Sequence, residues 1–282
     1  MTPPTTSSGS ATAVSPTDGL VRDIGGGVLR IAVSSAAAGT SLNPAAMTAG
    51  TQALHEVARG ERDAGAILLA GDGPNFCAGG DVRGFAAADH RPDHLRSLAD
   101  SFHGFIQALV AADRPVVAAV SGWAAGAGMS LVLYADVAVG GTSTRLRPAY
   151  LGIGLSPDGG MTWTLPRTVG AARARRILLT DEILDAETAL ALGVLGEVVD
   201  DAEVADRAQA VADQIAAGPR GALTATRRLL TASATSTLPE QLAAEAHSIS
   251  TLSASAEGVE GVNAFVEKRR PDYGAARGPL GG

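Results

Sequence analysis

Cysteine is nearly absent from this chain: among 282 residues there is one, Cys77. A single thiol closes no internal disulfide, which excludes a disulfide-stapled secreted scaffold and makes the cytoplasm the expected compartment. Aromatic residues are scarce at 4%, so aliphatics and alanine must fill a core drawn from the 46% of residues that are hydrophobic. Positive charge is not in excess. Lys and Arg number 22 against 29 Asp and Glu, a net charge of −7, so neither a nucleic-acid nor an anionic-membrane partner is expected. No stretch reaches the roughly 18 uninterrupted apolar residues of a membrane span. His55, His90, His94, His103 and His247 lack zinc-ligand spacing and Cys77 has no partner cysteine, so no metal is expected. Phosphate-binding signatures are missing too: no glycine loop ends in Gly-Lys-Ser or Gly-Lys-Thr, and none has the spacing and downstream acid of a dinucleotide fingerprint. No G-x-S-x-G elbow presents a serine nucleophile.

What is present reads as α/β. Residues 1–18 are rich in Ser, Thr, Pro and Ala, without the basic-then-apolar order of a secretory signal, and are expected to form a disordered tail. Around Gly25, Gly26 and Gly27 the pattern "LVRDIGGGVLRIAV" predicts a hairpin. A helix follows, with Asn43 as N-cap, Pro44 at its first position and Gly60 as its stop. Short apolar runs "AGAILLAG", "RPVVAAVSG" and "VAVGG" read as buried strands, and "FHGFIQALVAA" and "GAGMSLVLYAD" as helices, with a polar segment at 83–101. Beyond residue 200 the pattern is almost wholly helical, and Thr237 with Glu240 makes a capping box. Residues 19–200 are therefore expected to form an α/β core and 201–282 a helical C-terminal region.

Three glycine-bearing segments could carry chemistry. "CAGGD" (77–81) and "GAGMS" (126–130) place small residues just before helices, where backbone N–H groups are unpaired and accessible. Two such amides converging on one point form an oxyanion hole. "GIGLSPDGG" (152–160) sets Asp158 among small and apolar residues, where a carboxylate is solvent-exposed in a turn, paired, or kept for proton chemistry. Asp81 and Asp136 are expected to cap or orient local backbone. Trp123 and Trp163 are expected to pack, as is Phe265 on an apolar face with Val259, Val262 and Val266. His90 and His94 could serve a lid beyond "CAGGDVRGF".

Several stretches in series resemble the crotonase, or enoyl-CoA hydratase/isomerase, superfamily: "ILLAGDGPNFCAGGDV", "RPVVAAVSGWAAGAGMSLVLYADVAVG", "LGIGLSPDGGMTWTLPRTVGAARARRILLT", "AETALALGVLGEVVD" and "EGVEGVNAFVEKRRPDYG". "GLSPDGG", "TWTLPR" and "AFVEKRRP" are most similar to its phenylacetate-pathway isomerase branch. The resemblance implies a crotonase-like spiral of ββα units, a helical C-terminal region that builds trimers or paired trimers, and an acyl-CoA substrate whose coenzyme A is part of the substrate, with no separate cofactor. It assigns the oxyanion amides to Ala78 and Ala127 and the proton-carrying carboxylate to Asp158. It places Gly79, Asp81, Gly126, Phe265 and Lys268 in substrate or CoA binding, with Lys268 and Arg269 reaching the CoA phosphates of a neighbouring subunit. The two glutamates of family hydratases are replaced here by Ser130 and by Ala149 or Tyr150, which favours a double-bond isomerase over water addition. A hydratase of relaxed mechanism and a silent acyl-CoA-binding scaffold are the alternatives.

Overall fold

Gly25, Gly26 and Gly27 all take positive φ, a region that a side chain disfavours, and they reverse the chain between β1 (Val21–Asp23) and β2 (Val28–Ser35). The expected hairpin is thus present in the computed structural model, which describes residues 19–36 and 40–278; the tail at 1–18 lies outside them. α1 (Pro44–Ala58) starts where the Asn43 side chain accepts the amides of Ala45 and Ala46. The chain continues through β3 (Ala66–Asp72), α2 (Val82–Ala87), α3 (Arg91–Ala111), β4 (Val116–Val120), β5 (Trp123–Ala125) and α4 (Ala127–Val132). Then come β6 (Val137–Gly141), β7 (Arg145–Arg147), a short turn of helix at Leu151–Ile153, α5 (Met161–Val169), α6 (Ala171–Thr180), β8 (Leu184–Asp185), α7 (Ala186–Ala191) and β9 (Glu197–Val199). α8 (Val204–Ala216), α9 (Arg220–Ala232), α10 (Leu238–Ser253), α11 (Ala256–Val266) and α12 (Tyr273–Arg277) complete it.

The larger sheet runs β1-β2-β3-β4-β6-β9, parallel from β2 onward, and the smaller runs β5-β7-β8. Each winding visits both sheets. β4 leads through β5 to α4, β6 leads through β7 to α5, and β3 leads through an isolated bridge at Cys77 to α2. These are the ββα turns of the expected spiral.

Unbroken apolar runs are explained by burial on both faces of the sheet. Ile67 and Leu69 of β3, with Val116, Ala118 and Val120 of β4, face the main core. Ala66, Leu68 and Ala70, with Val117 and Ala119, face the opposite side, where α8 lays down Val204, Ala208, Ala212 and Ala216. A boundary at residue 200 therefore separates α8 from the core it covers.

α9 docks by charge. It has no fully buried residue, and its Arg220, Arg227 and Arg228 pair with Asp63, Asp136 and Asp113 of the core. Asp136 also accepts the amide of Val116 at 2.7 Å while its own amide donates to the Val116 carbonyl at 2.8 Å, so it does orient backbone as expected. Removing the acid orphans a buried amide, whereas removing the arginine loses only a partly exposed pair. Asp136→Ala is expected to cost about 1–3 kcal/mol and Arg227→Ala less than about 1 kcal/mol, measured by urea unfolding; equal costs would contradict this assignment.

The polar segment at 83–101 proves helical, forming α2 and most of the first half of α3. Its polarity reflects exposure rather than a loop: Arg91 to Leu95 are all partly or fully open to solvent. His90 sits at the start of α3 with its Nδ1 2.8 Å from Asp93, and His94 packs edge-on against Phe85. His94 lies on the α3 helix, whereas His90 is its N-cap, in the short connection from α2. Trp123 and Trp163, expected to pack, are exposed, and Arg167 lies 4.0 Å over the Trp163 ring. No described helix is long and apolar enough to cross a membrane.

Candidate active site

Two loops are drawn together by one bridge. The amide of Cys77 donates to the Trp123 carbonyl at 3.1 Å and the amide of Ala125 donates to the Cys77 carbonyl at 2.8 Å. Segment 77–80 thereby lies beside 125–128. The approach is close enough to demand glycine: a Cβ on Gly79 would stand 3.2 Å from the Ala125 carbonyl oxygen, and one on Gly128 only 2.2 Å from that of Cys77. Gly79 and Gly126 also hold positive φ, of 98° and 54°.

Which amides remain free is decided by their partners. Ala127 opens α4, and the Gly126 carbonyl accepts from Ser130 along the helix, so the Ala127 N–H, trans to that carbonyl, points back out of the helix start. Ala78 does not fit the role expected for it. Its N–H is spent on the Thr40 carbonyl at 2.9 Å and cannot also serve a ligand. Gly80, two residues on, has its amide free instead. The Gly79 carbonyl accepts from Leu42 at 2.8 Å, so the Gly80 N–H on the other side of that peptide plane points away from the 40–42 segment. Among the described residues it has no acceptor.

Asp158 is half-buried and held from three directions. The Tyr150 hydroxyl donates to its Oδ1 at 2.7 Å, the Ser130 hydroxyl donates to its main-chain oxygen at 3.3 Å, and the next amide, of Gly159, donates to His103 Nε2 at 3.1 Å. Gly159 leaves the needed room, since a Cβ there would come within 2.4 Å of the Phe102 ring. Ser130 sits on α4, one turn past Ala127, so the helix that Ala127 opens also bonds the main chain of Asp158. The Tyr150 phenol is driven well above the usual tyrosine range, first by burial, then by the charge of Asp158 and the bond to it; a facing Ser130 hydroxyl offsets this in part. It therefore stays protonated, as a donor.

Tyr150 reaches this place through a strained residue. Ala149 takes φ 61°, and its amide is fixed by Asp181 Oδ1 at 2.8 Å, with Asp181 paired in turn to Arg147 at 2.7 Å. Of the two residues considered for a lost glutamate, Tyr150 is the one whose side chain bonds to the cluster. The sequence assigns no site role to His103, which meets its partner across 56 residues, and no local pattern announces that.

Asp81 caps α2 through the Arg83 amide, as expected for a backbone role. Phe265 and Lys268 lie apart from the cluster within one chain. Phe265 is 85% exposed, with Val259, Val262 and Val266 also open; only Ala264 of α11 is buried, so the expected packing face is uncovered here. Cys77 is fully buried, and burial pushes its thiol up to about 11. Native protein at pH 8 is expected to resist iodoacetamide and to take up one label per chain once unfolded, read by intact mass; rapid native labelling would show that the 77–80 loop opens.

A family model described as Enoyl-CoA hydratase/isomerase matches residues 23–276. A Rhodobacter capsulatus protein named "Probable enoyl-CoA hydratase" is 41% identical over 233 residues, 83% of this chain and 89% of that one. The 1,2-epoxyphenylacetyl-CoA isomerase of Escherichia coli is 37% identical over 209 residues, covering 73% and 80%. The crystal structure of an enoyl-CoA hydratase from Polaromonas superposes with a TM-score of 0.82 at 30% identity, over 89% of this chain and 98% of that one.

Proposed function

The chain belongs to the enoyl-CoA hydratase/isomerase family, and on that premise we propose that it moves a double bond within an acyl-CoA thioester. Asp158 carries the proton, and the amides of Gly80 and Ala127 hold the thioester oxygen. The observation that supports this reading best is that Ser130, on the helix that Ala127 opens, bonds the main chain of Asp158 and so ties the acid-bearing loop to that helix start. Asp158 takes a proton from one carbon of the acyl chain, the electron pair spreads onto the thioester oxygen as a dienolate, and the same carboxyl returns the proton to another carbon. No redox partner enters the balance. Two backbone donors aimed at the forming oxyanion contribute about 3–4 kcal/mol each.

Water addition is the second reading, favoured by the name of the Rhodobacter capsulatus relative. In it Asp158 would have to activate water alone, because Ser130 and Tyr150 stand where further acids would be needed. We further propose that the open face of α11 is covered in a trimer or paired trimers, which would bring Phe265 and Lys268 toward a neighbour's substrate. The deciding experiment incubates an enoyl-CoA in D2O and follows the product. Deuterium at the α and γ carbons supports isomerisation; hydroxyacyl-CoA formed from crotonyl-CoA overturns it.

A further inference from the structure

We propose that Tyr150 is a positioning residue that occupies one oxygen of Asp158 and so reserves the other, Oδ2, for the travelling proton. The inference rests on the reading of Asp158 as the proton carrier and adds a device for keeping that proton in the site.

A carboxyl torsion has a broad, nearly two-fold profile, and either oxygen of a free carboxylate can accept. Such a group takes a proton on one oxygen, rotates, and exposes it to water. Here the 2.7 Å bond from Tyr150 holds Oδ1, while among the described residues no donor reaches Oδ2. Tyr150 is itself anchored. Its ring lies beside the amide loop, with Cζ 4.0 Å from where a Cβ on Gly126 would be, and its backbone follows the Ala149 twist that Asp181 and Arg147 clamp. The raised phenol remains a donor throughout the working pH range. His103 steadies the backbone of the same loop from α3 by accepting the Gly159 amide.

The step balances with these groups alone. The C–H bond breaks toward Oδ2, its electron pair enters the dienolate, and the Oδ2–H bond then breaks toward the second carbon as the electrons return. Tyr150 keeps its own proton.

The test is Tyr150→Phe, beside Asp158→Asn, with a substrate deuterated at the carbon that loses its proton. Wild type is expected to retain part of the label in the product by internal transfer. Tyr150→Phe should lower kcat roughly tenfold, the worth of a charge-assisted hydrogen bond, leave KM within about twofold because ground-state binding is untouched, and lose most internal transfer to solvent. An unchanged transfer fraction and kcat would overturn the proposal, as would a rise in KM with no change in transfer. A measurement free of turnover accompanies it: ultraviolet titration of the tyrosines, in which Asp158→Asn should let Tyr150 ionise at lower pH than in wild type, because the charge that raises it is gone. No movement there also overturns the coupling. Exchange that survives in Asp158→Asn removes the underlying reading, and Tyr150's role with it; exchange lost in Asp158→Asn but normal in Tyr150→Phe removes the role of Tyr150 alone.

Discussion

Asp158→Asn is expected to lower deuterium exchange at the α and γ carbons of an enoyl-CoA by roughly 10²–10⁴-fold, the usual worth of a positioned general base. Asparagine has the same shape and keeps an oxygen to accept from Tyr150, so the 2.7 Å contact can persist. The Ser130 bond goes to the main chain and the His103 bond to the Gly159 amide, and neither depends on the acid. What the amide lacks is a basic oxygen. The thermal midpoint and the affinity for a CoA ester should therefore stay near wild type while exchange collapses. Exchange at the wild-type rate in a folded variant would show that another group takes the proton. Loss of folding would show that the carboxylate is mainly structural.

Gly128→Ala is the second large effect. The added Cβ would stand 2.2 Å from the Cys77 carbonyl oxygen and 2.8 Å from the Cys77 Cβ, and both neighbours belong to buried backbone and core. Neither is the free end of a flexible side chain. The loops at 77–80 and 125–128 must part, and this displaces the amides of Gly80 and Ala127 on which the proposed oxyanion site depends. Losing one oxyanion donor lowers kcat by roughly 10²–10³-fold, and overpacking costs about 1–3 kcal/mol of stability. Gly104→Ala is the control, because a Cβ there meets nothing within 4 Å and its φ lies outside the left-handed region. Steady-state kinetics with thermal unfolding separate the two terms. Wild-type turnover in Gly128→Ala would mean that the spacing of these loops does not matter to the reaction.

Much of the fold was legible because its signals are local. The Gly25 to Gly27 turn, the Asn43 cap, the Thr237 and Glu240 capping box and the three buried strands all depend on residues within a few positions of each other, and all are found as read. The segment at 83–101 was harder. An exposed helix shows little apolar periodicity, so α2 and the start of α3 resemble a polar connection. The site divides in the same way. Asp158 stands out by its setting among glycines and proline, and Ala127 by its place at a helix start. Ala78 and Gly80 cannot be told apart locally, since both are small residues in one glycine-rich loop.

By itself, the sequence determined the α/β alternation, the small residues just before two helices, and the presence of one acid among small residues, because each is set by local backbone conformation or by the period of burial. The tertiary structure decided which amide is left free, through Thr40 and Leu42 binding the 78–79 peptides. It also decided what surrounds the acid: Tyr150 from beyond β7, Ser130 from α4 and His103 from α3. Those bonds join chain segments whose separation no local pattern encodes, and they exist only once the sheets have brought the three elements to one end of the spiral.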